Sequence, residues 1–155
     1  MSRISEQMNV AYIVKGADHA AGVSGDSVHM GRMQRAMFVL MFHATVTGDA
    51  VLTLSSGATN GTETTSETFR YRLADADQGS ATADTYADWA TSSSLTLTAA
   101  TYDNRTLIVE IDSDELTDGQ PWLTLVLSSA ASALNVTVLM IGVPRFSAHD
   151  PLTVL

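Results

Sequence analysis

Thr106-Leu107-Ile108-Val109-Glu110-Ile111 puts Leu107, Val109 and Ile111 on one side of an extended chain, opposite Thr106, Ile108 and Glu110. A period of two is the signature of a β-strand, because successive side chains leave opposite faces. The same alternation spreads in both directions along the chain. Phe69, Tyr71 and Leu73 alternate with Thr68, Arg70 and Arg72, and Leu95 and Leu97 alternate with Ser94, Thr96 and Thr98. Leu123, Leu125 and Leu127 face away from Trp122, Thr124 and Val126, and Leu134, Val136, Val138 and Met140 close the series. With residues 10–14, 28–30, 37–43 and 51–54, about nine strands emerge. They are threonine-rich and punctuated by Gly, Ser and Asn-Gly, which predicts an all-β fold: an antiparallel, jelly-roll-like β-sandwich.

Met37–His43 carries the most information. Phe38, Leu40 and Phe42 lie on one face, and Met37, Val39, Met41 and His43 on the other. An antiparallel strand with one wet side should show polar residues there, and this one does not. Either the strand is covered on both sides within its own domain, or one side packs on another chain.

Two segments fall outside the pattern. Residues 1–9 read as an N-terminal arm ahead of a single domain over 10–155. Residues 74–93 form a long insertion rich in Asp, Ala, Ser and Thr, and loops beyond about 12–15 residues are uncommon unless functional or disordered. Within it, the spacing of Tyr86, Trp89 and Ala90 is compatible with a short helix.

The 155 residues suffice for one domain. Only 16% are charged, well below the usual quarter, and 19 Thr, 16 Ser and 20 Ala fill the gap. The longest apolar run, Ala36–Phe42, is seven residues, against about 20 for a bilayer-spanning helix, so no membrane partner is expected. The N-terminus shows no apolar stretch of the kind a secretory signal needs. There is no cysteine, which removes disulfides, thiolate catalysis and cysteine-based metal sites.

Net charge is −9, and all of the excess lies in the second half: residues 1–74 hold six bases and six acids, residues 75–155 two bases and eleven acids. Five Asp and no base separate Arg72 from Arg105. Such a field repels phosphate backbones, so a nucleic-acid partner is not expected either.

Tests for catalysis find nothing. Gly22-Val23-Ser24-Gly25 fails the G-x-S-x-G spacing of a nucleophile elbow. His19, His29, His43 and His149 are scattered, with no paired imidazoles for a metal, and His43 reads as a packed or interface residue. No phosphate-binding glycine loop follows a strand. Asp112, Asp114, Glu115 and Asp118 before Gly119 suggest a calcium loop, but its fifth and sixth positions are Leu116 and Thr117, which breaks the EF-hand pattern. A polar turn between strands is the plainer reading. No cofactor, metal or catalytic residue is therefore expected.

The order of motifs is nonetheless familiar. Gly25-Asp26-Ser27-Val28-His29-Met30 leads through Arg32 and Arg35 into the apolar strand 36–42, followed by Gly48-Asp49 and Val51-Leu52-Thr53-Leu54. An acidic loop with Trp89 comes next. Near the end stand Ile111-Asp112-Ser113-Asp114-Glu115-Leu116, Trp122-Leu123-Thr124-Leu125 and Val143-Pro144-Arg145-Phe146. This order, over most of residues 22–147, resembles small all-β virion proteins encoded among the head genes of tailed bacteriophages.

The resemblance implies a head decoration, or cement, protein on the outer surface of the virion capsid, bound to the major capsid protein and commonly a homotrimer. The family offers no catalytic residue to transfer. Subunit contacts are expected at Met37, Val39, Met41 and His43. Capsid contacts are expected on the arm, where Arg3 and the apolar Ile4 and Met8 stand. The alternative is a carbohydrate-binding jelly roll of a phage spike or tail tip, which needs an aromatic platform from Tyr86, Trp89, Tyr102 and Trp122.

Overall fold

The computed structural model describes residues 7–46, 49–130 and 133–145. They form two antiparallel sheets packed face to face, as the alternation predicts. The strands are β1 (Asn9–Asp18), β2 (Val23–Ser24), β3 (Val28–His29), β4 (Met33–Val46), β5 (Ala50–Gly57), β6 (Thr65–Glu67), β7 (Phe69–Leu73), β8 (Ala90–Ser92), β9 (Leu95–Leu97), β10 (Thr106–Asp112), β11 (Trp122–Leu127) and β12 (Leu134–Pro144). The first sheet runs β1-β12-β4-β10-β7-β8. The second runs β2-β11-β5-β6, with β3 on β11 and β9 on β5. Among the described residues no helix is long and apolar enough to cross a membrane.

All nine expected strands are present, and β2, β6 and β8 are additional. Asn9, read as part of the arm, is the first residue of β1, paired with Gly142 on β12.

The core lies between the sheets and is built from the inward-facing residues. Phe38, Leu40 and Phe42 of β4, Leu107, Val109 and Ile111 of β10 and Val136, Val138 and Met140 of β12 meet Leu52 and Leu54 of β5 and Leu123, Leu125 and Leu127 of β11. One end of this core is closed by polar groups. Glu67, buried on β6, accepts the Ser56 hydroxyl at 2.5 Å and the Thr117 amide at 2.8 Å, which ties the loop after β10 to the rim of the second sheet. A buried carboxylate needs such donors, because burial without them costs several kcal/mol.

The insertion contains no helix; the helical spacing of Tyr86 and Trp89 has a different origin. Tyr86 forms a bridge with Ala74, residue 90 opens β8, and both rings stack on Arg72. The backbone is held to the sheet by bonds from Asp75 N to Thr85 O and from Ala87 N to Leu73 O, both 3.0 Å. The insertion is also less bare of cations than its sequence implies, since Arg105 donates to Asp77 at 3.0 Å.

Candidate functional site

β4 is central in its sheet, between β12 and β10. Its register assigns each outward residue its neighbours. Val39 lies opposite Leu139 of β12 and Ile108 of β10, and Met37 lies opposite Ile141 and Glu110. Leu139 continues to Tyr12, and Ile141 to Val10, on β1; on the other side, Ile108 continues to Arg72 on β7. One cross-strand row thus reads Tyr12, Leu139, Val39, Ile108, Arg72. The next reads Val10, Ile141, Met37, Glu110, Arg70.

This outer face is apolar in its middle, and among the described residues no third layer covers it. Met37, Val39, Met41, Leu139 and Ile141 are half-buried, and Ile108 in the same row is buried. Of the two readings of residues 37–43, cover on both sides within the domain is therefore not what the described residues provide. His43 is exposed at the end of the row, with Nε2 at 3.1 Å from Thr137 Oγ1.

The edges of the face differ from its middle. The exposed large apolar side chains among the described residues are Met8 (40%), Val10 (65%), Tyr12 (53%) and Trp89 (45%). The first three alternate along the β1 edge; Trp89 sits at the opposite edge, just before β8. There the Arg72 guanidinium lies 4.8 Å from the Tyr86 ring centre and 4.7 Å from that of Trp89, a cation–π sandwich. Arg72 Nε is buried without a hydrogen-bond partner, so the two rings hold the side chain.

At one end of the face, charges close on themselves. Asp112 accepts from Arg35 twice, Nε to Oδ1 at 2.6 Å and an Nη to Oδ2 at 3.0 Å, and from Arg70 at 2.9 Å. Arg70 also donates to Glu115 at 2.8 Å, and Glu110 stands 3.7 Å from Arg35. The hydrogen bond from Arg35 and the attraction of both guanidinium groups hold the Asp112 carboxyl below the usual carboxylate range. Two members of the supposed calcium loop, Asp112 and Glu115, are thus committed to arginines. Among the described residues no set of three His, Asp or Glu side chains converges as metal ligands.

Other expected residues scatter. Tyr102 is buried edge-on to Phe42 at 5.4 Å, and Trp122 stands at 4.9 Å from His29 on the second sheet. The four aromatics therefore form no common platform; only Tyr86 and Trp89 come together. His19 Nε2 lies 2.8 Å from the Lys15 carbonyl, remote from His29. Arg3 and Ile4 fall outside the described residues, as does His149. A hollow of about 260 Å³ lies between Met30 and the loop 116–121, beside Arg145. Arg145 there donates to the Ser113 hydroxyl at 2.8 Å.

The sequence pattern revealed that residues 37–43 are apolar on both sides, but not which strands extend that face. In the sequence Arg35 stands only in the order of motifs, and Arg70 and Arg72 only as the polar half of a strand alternation. Their alternation with apolar residues was a signal that they share the outer face.

Fold and surface together define a β-sandwich whose most distinctive feature is an apolar outer sheet face rather than a cleft. No family model, curated protein or solved structure matches the chain.

Proposed function

We propose that the chain is a structural virion protein of the decoration, or cement, type, which assembles as a homotrimer and binds the outside of a tailed-phage capsid. The observation that carries this reading is the apolar outer face around Met37, Val39 and Met41, half-buried by its own strands and open to a further chain. Isolated apolar residues on a surface need no explanation, but a contiguous patch points to an interaction site. The choice of partner rests on the resemblance of the motif order to small virion proteins. In this reading the jelly-roll-like sandwich presents Met37, Val39, Met41 and His43 to a neighbouring subunit, and residues 1–6, with Arg3 and Ile4, reach the shell alongside Met8.

Mixing purified protein with undecorated capsids, followed by pelleting, tests the proposal. Saturable binding and a solution mass of three chains are the expected outcome. A monomer with no capsid affinity would refute it. Removing residues 1–6 leaves β1 intact and should weaken attachment at least tenfold, about 1.4 kcal/mol. Arms in one trimer reinforce one another through effective concentration.

A second reading has one observation in its favour. The exposed Trp89 ring, brought beside Tyr86 by Arg72, is an apolar plate in a polar segment, suited to stack on a sugar face. Binding on a glycan array, abolished by Trp89→Ala and without capsid affinity, would favour a carbohydrate-binding module.

A further inference from the structure

The exposed apolar side chains of this sheet are split between its two opposite edges: Val10 and Tyr12 on β1, Trp89 beside β8. A sheet that met its own copy through a single shared patch would need only one such place. Two unlike patches facing away from each other suit a head-to-tail contact, in which one edge of a subunit meets the other edge of the next; such contacts form a ring where the rotation between copies closes and a filament where it does not. We propose that the β1 edge of one copy docks against the Trp89–Arg72–Tyr86 edge of a second copy. This rests on the reading of the chain as self-assembling, and it places the subunit contact at the edges of the face rather than at Met37, Val39, Met41 and His43 on its central strand.

Charge supports the same pairing. A chain of net charge −9 repels its own copy except where opposite signs are brought together. The β1 edge carries the chain's single lysine, Lys15, exposed, while its Asp18 is engaged by the amides of Ala20 and Leu134. The opposite edge carries exposed Asp75, Asp84 and Asp88 in the insertion. Head-to-tail docking sets Lys15 against these carboxylates. Docking β1 on β1 brings neither lysine to these carboxylates, and docking the insertions together brings acids to acids.

The two edges also have the right chemistry for a seam. Tyr, Trp and Arg are the residues that most often dominate interface energetics, and they stand here at Tyr12, Trp89 and Arg72. A standard interface takes about 800 Å² from each partner, close to a tenth of this chain's 8024 Å². The ten-residue β1 gives a line of roughly 33 Å at about 3.3 Å per residue, so the contact extends inward over Ile141 and Leu139. It proceeds through side chains rather than by adding a strand. β1 is bulged between Tyr12 and Val14 and again before Ala17, and the Ile13 carbonyl already accepts from Asp26 at 3.2 Å.

Complementation of two variants tests the seam. Val10→Asp spoils only the β1 edge, and Thr91→Lys, which shares the outer face with Arg70 across the ladder and sets a cation against Lys15, spoils only the β8 edge; both sites are exposed. Circular dichroism should match the wild type, as should thermal unfolding at a dilution where the wild type is monomeric too, since association itself raises Tm. Light scattering, at a concentration where the wild type is fully associated, should find each variant alone monomeric, with the dissociation constant raised at least tenfold. An equimolar mixture should restore a two-chain species, because one seam per pair is then unaltered while the other cannot close. Variants that associate like the wild type would overturn the seam and leave self-assembly standing. A mixture that stays monomeric would overturn the head-to-tail arrangement in favour of a shared patch. A monomeric wild type would remove both the self-assembly reading and the seam.

Discussion

Replacing Asp112 with Asn should destabilise the fold by about 2 kcal/mol at neutral pH. The carboxylate is only partly exposed and accepts three charge-assisted hydrogen bonds from Arg35 and Arg70. Bonds to charged groups contribute about 1.5–3 kcal/mol each when shielded, but exposed ion pairs measure only about 0.2–1. With Arg35 nearly half exposed and Arg70 a third, about 0.5–1 kcal/mol per bond is the appropriate scale. The neutral amide also leaves two guanidinium groups facing each other, with Glu110 and Glu115 as their remaining partners. For a chain of this size about 2 kcal/mol lowers Tm by roughly 4–8 °C. The pH dependence follows from the depressed pKa of Asp112. Its stabilisation is present above the unfolded-state value of about 3.9 and is lost as pH falls through the lower folded-state value. Urea titrations should therefore show a gap between wild type and variant that is constant from about pH 7 to 5 and narrows below about pH 4. A gap under about 0.5 kcal/mol at neutral pH, the range of an ordinary surface substitution, would refute this account. So would a gap that persists unchanged in acid.

Further outcomes can be checked with the same material. Phe38→Ala should cost about 3–5 kcal/mol in denaturant unfolding, since Phe38 is fully buried between the sheets. Arg72→Gln removes the cation between Tyr86 and Trp89 and should cost about 1–2 kcal/mol, with faster amide exchange at Asp75 and Ala87 as the insertion loosens. In an alkaline absorbance titration, Tyr102 should ionise later than a free tyrosine, because burial, reinforced by Tyr71, raises its pKa. The folded-state value being the higher one, its contribution is intact below about pH 10 and is lost as pH rises through the folded-state value.

Where apolar and polar residues alternated over four or more positions, the sequence was sufficient to locate strands. β2, β6 and β8 are two or three residues long and read Val23-Ser24, Thr65-Ser66-Glu67 and Ala90-Thr91-Ser92; they offer no apolar repeat and owe their extended form to the strands beside them. The spacing of Tyr86 and Trp89 was misleading because stacking on one guanidinium brought the two rings together without a helix. The doubly apolar character of residues 37–43 was legible, whereas the reach of that face was not. It depends on the register of β4 with β10 and β12, which places Ile108, Leu139 and Tyr12 in one row. The ion-pair cluster was hidden for the same reason: Arg35 and Asp112 are far apart in the chain, and only strand pairing makes them neighbours.

The placement of β4 between β10 and β12 also has a consequence in time. Both of its neighbours come from residues 106–144, so the strand with the longest apolar run of the chain leaves the ribosome well before either partner exists. Until the last third is synthesised, Phe38, Leu40 and Phe42 have no sheet to join, and Met37, Val39 and Met41 are uncovered on the other side. Folding that waits on distant pairing is slow, and the waiting chain is open to aggregation. The strand that organises the finished sandwich is therefore the segment most in need of protection while the protein is being made.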